Sequence, residues 1–441
     1  MHTISVRLRA LSRGLTADTP VHRRFTVATS RPLRQAILLL ILGSALTTAQ
    51  AAGTPSFNTL LRQAQTTAPR LLEQGANVRA ARADVRQAGA WLNPTVGATA
   101  ENLGAPTSGE VSQRQDTYTV TQVFETGGKR AARIEAEQRK AEVAGARGQQ
   151  ARLEYAGQLA IAYATAEAMQ LRKEVADAES TRAEDDLGAA RALVKAGREA
   201  ELRVAQARAS AAAAQAAVQS ASADATEALE RLAALVGATE PFTRIDHPFL
   251  ATVRTPAGLP GWTPASAPSL ASATAERDAI AAQVRLEQKR LMPDVGVSVG
   301  MRRFAWSSEK AATIGISASI PLFDRNQAGV EAARERAVGA ALRMDAARLE
   351  AVALHRSATA QVQASDKRLQ AAEQGELAAA DAYRLGRLGY EAGKTALIEL
   401  LAIRRALAEA KATTIEARLA RVRALATLSL AEGRNVFGDA P

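Results

Sequence analysis

The chain carries its own landmarks twice, at an offset of about 200 residues, and this duplication limits its fold more than any other feature. Pro69-Arg70-Leu71 recurs as Pro268-Ser269-Leu270, and Pro94-Thr95-Val96-Gly97 recurs as Pro293-Asp294-Val295-Gly296. Val123-Phe124, followed by Gly127-Gly128, corresponds to Leu322-Phe323, followed by Asn326 and Gly329. Lys195-Ala196-Gly197 corresponds to Glu391-Ala392-Gly393. Landmarks kept in one order imply two structural repeats, 57–237 and 266–434. Between them, 238–265 is rich in proline and reads as an extended connector; 435–441 is a short C-terminal tail.

Each repeat predicts the same succession. A helix of about 25 residues ends before Pro94 or Pro293, because proline cannot extend the hydrogen-bond ladder and drives its predecessor toward extended geometry. Two strands follow. In the second repeat Val295, Val297, Val299 and Met301 alternate with Gly296, Ser298 and Gly300; Ile314, Ile316, Ala318 and Ile320 alternate with Thr313, Gly315, Ser317 and Ser319. Period two with one apolar and one small polar face is the mark of a strand between unlike surroundings. In the first repeat the corresponding residues are Val96, Ala98 and Ala100, then Tyr118, Val120, Gln122 and Phe124. Runs of seven to ten residues approach the length of a tilted membrane-crossing strand. A soluble sandwich of two hairpins is the other reading of the same pattern.

Residues 130–196 and 326–392 contain no proline, and each stretch predicts a helix of about 100 Å. Gly197 and Gly393 end these runs and suit helix-to-helix turns, with return helices over Glu201–Leu235 and from Thr395 to about Glu432. Nine of the twenty residues from Glu201 to Ser220 are alanine, and aromatics make up only 4% of the chain. Helices packed closely through small side chains fit such a composition better than a large aromatic-filled interior.

The formal charge of +11 is concentrated at the start: residues 1–51 hold seven arginines and one acid. The remaining body is weakly basic and poor in aromatics, which argues against a nucleic-acid partner. Arg31 and Arg34 precede the apolar run Ala36–Leu42, and Ala49-Gln50-Ala51 offers a small-x-small cleavage pattern, so 1–51 reads as a leader and signal peptide. The absence of cysteine removes disulfides, thiolate chemistry and N-terminal lipidation.

No catalytic constellation is visible, and no cofactor or metal site is expected. The histidines His2, His22, His247 and His355 are scattered, and His355 has no second ligand at helical spacing. Gly127-Gly128-Lys129-Arg130 lacks the spacing of a phosphate loop and reads as a strand-to-helix junction; Asp185-Asp186 reads as a solvated helix surface.

The junctions Gln122-Val123-Phe124-Glu125-Thr126-Gly127-Gly128-Lys129-Arg130 and Ile320-Pro321-Leu322-Phe323-Asp324-Arg325-Asn326-Gln327-Ala328-Gly329, with Asn93-Pro94 and the two glycine turns, resemble the outer membrane efflux protein family, the TolC-like channels. The glycine-rich junction is most similar to the subgroup serving heavy-metal cation pumps. The resemblance implies an all-α tunnel plus a transmembrane β-barrel: a homotrimer in which each protomer gives four strands to one twelve-stranded barrel and long helices to a periplasmic tunnel. It implies a passive outer-membrane exit duct, not an enzyme, working with a periplasmic adaptor and an inner-membrane pump, with proton drive expected of the pump. Divalent metal cations are the expected cargo; organic drugs or secreted proteins are the alternative, and an exported coiled-coil structural or adhesion protein is a further one. The resemblance places a candidate pore constriction at Glu399 and periplasmic tip turns at Gly197 and Gly393. Strand–helix junctions fall at Gly127, Gly128, Pro321, Asn326 and Gly329. The period-two pattern itself assigns Val295, Val297, Val299, Ile314, Ile316 and Ile320 to outer-membrane lipid, and Ser298, Ser317 and Ser319 to the lumen.

Overall fold

A computed structural model describes residues 54–437 apart from 105–111, 198–199, 254–261 and 393. The expected leader 1–51, the turn residue Gly393 and the end of the C-terminal tail lie outside the described residues.

Pro69 opens the helix expected before Pro94, which ends at Ala88, and a shorter helix precedes it. Ala68, held at φ −70° and ψ 116°, separates α1 (Phe57–Thr67) from α2 (Pro69–Ala88). The residue before proline is sterically excluded from the helical region, while proline itself suits the first helical position. Then come β1 (Thr95–Glu101), β2 (Gln115–Phe124), α3 (Lys129–Lys195) and α4 (Glu201–Val236). After the connector the order returns: α5 (Pro268–Lys289), β3 (Val295–Phe304), β4 (Lys310–Ala318), α6 (Gln327–Glu391) and α7 (Leu397–Glu432). Ala267 precedes Pro268 in the same extended geometry as Ala68, at φ −73° and ψ 126°.

Both return helices stop at a left-handed glycine, Gly237 (φ 74°) and Gly433 (φ 72°). A side chain at Gly237 would strike the Thr67 carbonyl, and one at Gly433 would strike the Ser266 carbonyl. Left-handed geometry and close backbone approach together demand glycine at both positions.

The strands form one antiparallel sheet in the order β1-β2-β3-β4. Val96, Val120, Val299 and Ile314 make one continuous cross-strand row, and Ala98, Tyr118, Met301 and Ala312 the next. Helices α2, α3, α5 and α6 join the sheet at the Thr95, Phe124, Val295 and Ala318 end; the hairpin loops lie at the other end.

This sheet corrects the expected fold class. It is open, with β1 and β4 each paired on one side among the described residues, and it is not closed into a transmembrane β-barrel. Four strands are too few to curve round and close upon one another with room for their side chains. The architecture is a long-helical body carrying a small four-stranded antiparallel sheet. Among the described residues no helix is long and apolar enough to cross a membrane.

The principal core lies midway along α3. Tyr163, Leu159 and Ala160 are buried against Leu60 of α1, Leu232 of α4, and Leu419, Val422 and Leu425 of α7. Phe57, Tyr163, Phe249 and Phe437 pack ring against ring, with the Phe57 and Phe249 centroids 4.8 Å apart. Tilted and edge-on pairs satisfy the ring quadrupoles better than face-to-face sandwiches. Ile245, Phe249, Leu250 and Val253 come from the connector, which is therefore part of the core rather than a loose linker.

Candidate functional site

The sheet separates its two faces by chemistry. On one, Val297, Val299, Ile314 and Ile316 are exposed, Ile314 to 82%, while Val295 is half-buried; Ile320, expected in the same strand, is exposed but lies beyond the end of β4 at Ala318. On the other lie Thr95, Thr121, Ser298 and Gly315, then Gly97, Thr119, Gly300 and Thr313. Ser317 shares that polar side through its pairing with Gly296. Arg302, farther along it, donates to the Thr117 hydroxyl at 3.1 Å and lies 3.6 Å from Glu101.

At the helix end of the sheet the glycine-rich junction does several jobs at once. Gly127 (φ 64°) and Gly128 (φ 79°) turn the chain through left-handed geometry, and a side chain on Gly127 would collide with Met292. Lys129 then pairs with Asp294 at 2.9 Å, tying α3 to the start of β3. Arg130 and Arg133 reach back to the last carbonyls of α2, at Gly89 and Ala88, each through a 2.9 Å bond from Nε. Terminal helix carbonyls have no partner within their own helix, and these guanidiniums supply one. Arg133 also grips Glu125 through both carboxylate oxygens, and Arg130 lies 4.9 Å from the Trp91 ring centre.

The second junction achieves the same capping with different residues. Asn326 replaces the glycine pair as a left-handed residue (φ 49°) preceding α6, and its Nδ2 donates to the Glu287 carbonyl at 3.0 Å and carboxylate at 2.9 Å. Its own N–H is held by Asp324 at 2.9 Å. Any side chain at Gly329 would strike the Asn326 amide, so this glycine serves close approach; Pro321 is half-buried just before the turn.

At the far end of α3, Gly197 is left-handed (φ 71°) and its N–H bonds the Val194 carbonyl at 2.9 Å. On α7, Glu399 is exposed in the first turn, where the helix dipole favours an acid. Arg404, five residues on, has a role that no local pattern in the sequence reveals. That side chain, only 7% exposed, binds Asp186 of α3 and lies 3.2 Å from Glu179. Asp186 is thus the half-exposed partner of a buried arginine and not an unpaired surface acid. Its signal was an arginine among the alanines and leucines of α7, legible only once α3 and α7 are placed side by side.

The hydrogen-bond partners of three buried groups in the body were also illegible. Glu167 accepts hydrogen bonds from the N–H groups of Phe249 and Leu250 at 2.8 and 2.9 Å. Burial raises its pKa above the ordinary 4.5, against the lowering effect of those donors and of Arg418. Burial likewise raises the Tyr155 and Tyr163 phenols to about 12. Their hydroxyls donate to the Leu235 carbonyl at 3.0 Å and the His247 carbonyl at 3.2 Å, which anchors α4 and the connector to α3. His355 stacks on Trp262 at 3.8 Å between ring centres, with Nε2 3.7 Å from Glu432. Among the described residues no group of three or more histidines and acids could hold a metal ion.

The profile of a known family, described as "Outer membrane efflux protein", matches residues 60–238 and 261–434. The chain belongs to the outer membrane efflux protein family. It is 53% identical over 424 residues to the nickel-cobalt-cadmium resistance protein NccC of Alcaligenes xylosoxydans xylosoxydans, covering 95% of this chain and 96% of that protein. It is also 53% identical over 389 residues to the nickel and cobalt resistance protein CnrC of Cupriavidus metallidurans, covering 88% and 93%. Its fold is similar to the open state of the MtrE outer membrane channel of Neisseria gonorrhoeae, with a TM-score of 0.73, 20% identity, and 87% and 90% of the two chains covered.

As a member of this family the protein is an outer-membrane exit channel with a large periplasmic α-helical extension, and not an enzyme. It works in company with a periplasmic adaptor and an inner-membrane pump.

Proposed function

We propose that this efflux channel releases divalent metal cations of the nickel, cobalt and cadmium class to the exterior, as the passive last stage of a proton-driven tripartite pump. The observation that carries the reading is the 53% identity to a nickel-cobalt-cadmium resistance protein over 95% of the chain. A duct needs no tight cation site, since a strong site would retain what it has to pass.

In this reading three copies assemble around the conduit, the two repeats 57–237 and 266–434 supplying equivalent parts. Support comes from α6, whose exposed Val338, Leu342 and Leu349 call for apolar cover. The apolar sheet face, Val295 through Ile320, meets outer-membrane lipid, and the Thr/Ser/Gly face meets the conduit. The turns at Gly197 and Gly393 form the periplasmic tip, and Glu399 stands near its constriction, where threefold symmetry would gather carboxylates that favour cations.

The test is a deletion strain scored for survival and retained metal across nickel, cobalt, cadmium, zinc and copper, beside a panel of organic drugs. Raised metal retention is expected. Drug sensitivity with unchanged metal handling would overturn the cargo and leave the channel intact.

A further inference from the structure

Adjacent arginines on β3 point to opposite faces of the sheet and meet unlike surroundings. Arg302, on the polar face, is bound by Thr117 and approached by Glu101. Arg303, on the apolar face, sits in a cross-strand row that runs Ala100, Asp116, Arg303, Lys310. Arg303 and Lys310 are directly opposite one another and both exposed, and neither has an ion-pair partner among the described residues. Asp116, the acid of that row, is held by Arg114 at 3.0 Å. Like charges opposed across a ladder destabilise it, so the row carries a cost that an external anion would remove.

The position of the row says which anion. It lies at the hairpin end of the sheet, away from every helix junction. Since the helical body is periplasmic, this is the outward-facing end. The row continues the apolar face and falls about 13 Å beyond the Val299–Ile314 row, at two rows' separation along the strands. Tyr118, an amphipathic ring also on this face, stands in the intervening row. Aliphatic side chains, then a tyrosine, then unpaired cations is the order in which a lipid presents acyl chain, interface and charged headgroup.

We propose that Arg303 and Lys310 form a docking site for the phosphate-bearing headgroup of an outer-leaflet lipid. The proposal rests on the reading that the apolar face meets lipid. The site holds the channel at a fixed depth: the cations bind lipid phosphate while Val299 and Ile314 enter the acyl layer. Nothing in the conduction path is involved, because Arg302 and the Thr/Ser/Gly face lie on the other side of the sheet.

The experiment uses the full chain in phosphatidylethanolamine vesicles doped with diphosphoryl lipid A or with its dephosphorylated form. As the chain has no cysteine, Val299→Cys carries a single fluorophore whose quenching by brominated acyl chains reports contact of this face with lipid. The parent should prefer the phosphorylated lipid. R303Q/K310Q should bind it about thirtyfold more weakly, on the scale of one tenfold step or less for each lost surface cation. R303K should keep the preference, and R302Q should leave it unchanged. Quenching at position 299 without any phosphate preference, or with equal preference in R303Q/K310Q of parental thermal stability, overturns this inference alone. Loss of lipid A binding to inorganic phosphate at equal affinity also overturns it, in favour of a free-anion site. No quenching at position 299 overturns both the inference and the lipid-facing reading beneath it.

Discussion

The two longest helices are of nearly equal length, 67 residues in α3 and 65 in α6, and they occupy the same place in the order of elements. Their surroundings differ. α3 packs on α2, α4, α5 and α7, and buries Tyr155, Leu159 and Tyr163. α6 packs chiefly on α5 and α7, burying Ala333, Ala340, Ala351, Ala358 and Val362, while Leu342 and Leu349 stand 64% and 72% exposed. One helix is an internal strut and the other presents an uncovered apolar flank. Sequence duplication therefore preserves element order without preserving environment. The connector contributes to the asymmetry: its Phe249 and Leu250 are held by Glu167 of α3, whereas it meets α6 through Trp262 stacked on His355 and the short turn that begins at Pro264.

The sharpest challenge to this contrast is Tyr163→Ala. It removes a fully buried ring and the bond to the His247 carbonyl, and should cost about 3–5 kcal/mol in denaturant unfolding. Leu349→Ala on α6 should stay within about 0.5 kcal/mol in the single chain. Comparable losses in the two variants would abolish the distinction between strut and flank.

Arg404→Gln comes next. It strands Asp186 at the α3–α7 contact and leaves Glu179 with Arg182 alone, and a loss of roughly 3 kcal/mol is expected. On α6, Arg384 pairs with Asp381 at 3.5 Å in the open, and Arg384→Gln should cost no more than about 0.5 kcal/mol. Thermal melts of both variants at low and high salt check the difference.

Leu342→Asp with Leu349→Asp sharpens the contrast from the other side. If the flank is covered by a second copy, each substitution should weaken assembly by about 2 kcal/mol while the isolated chain stays folded. Trimer content by sedimentation, read beside helicity, would show it. Unchanged trimer content would remove α6 from the contact.

The smallest expected effect is a pH dependence lodged in α3. Because burial raises the folded-state pKa of Glu167, the folded chain binds its proton more tightly than the unfolded chain. This contribution to stability is full below the ordinary value near 4.5 and is lost as pH rises through the folded value. Glu167→Gln keeps an acceptor for Phe249 and Leu250 and should flatten the profile in that window. An unaltered profile would assign the dependence to another group.

Much of the helical and strand layout is legible in the residues because proline, glycine and period-two alternation act locally. Pro69, Pro94, Pro268 and Pro293 restrict the residues before them wherever the chain goes, and Val297–Ser298–Val299 must alternate faces in any strand. The split at Ala68 follows from the same rule applied at Pro69. Candidate functions of Gly127, Gly128 and Asn326 at junctions were readable for a similar reason: left-handed backbone has few tolerant residues. What Arg130 and Arg133 do there was not readable, because the α2 carbonyls they cap are more than forty positions away.

By itself, then, the amino-acid sequence determined the order and approximate extent of most helices and strands, the duplication that orders them, and the period-two alternation of the strands, all of which follow from short-range sterics and periodicity. The tertiary structure decided what no local rule contains. It left the sheet open, since closure depends on strand number and pairing partners and not on the pattern within a strand. It brought Asp186 to Arg404 across 218 positions and Glu167 to the connector across 82, turning two acids that look alike in sequence into half of a part-buried ion pair and a raised-pKa acceptor.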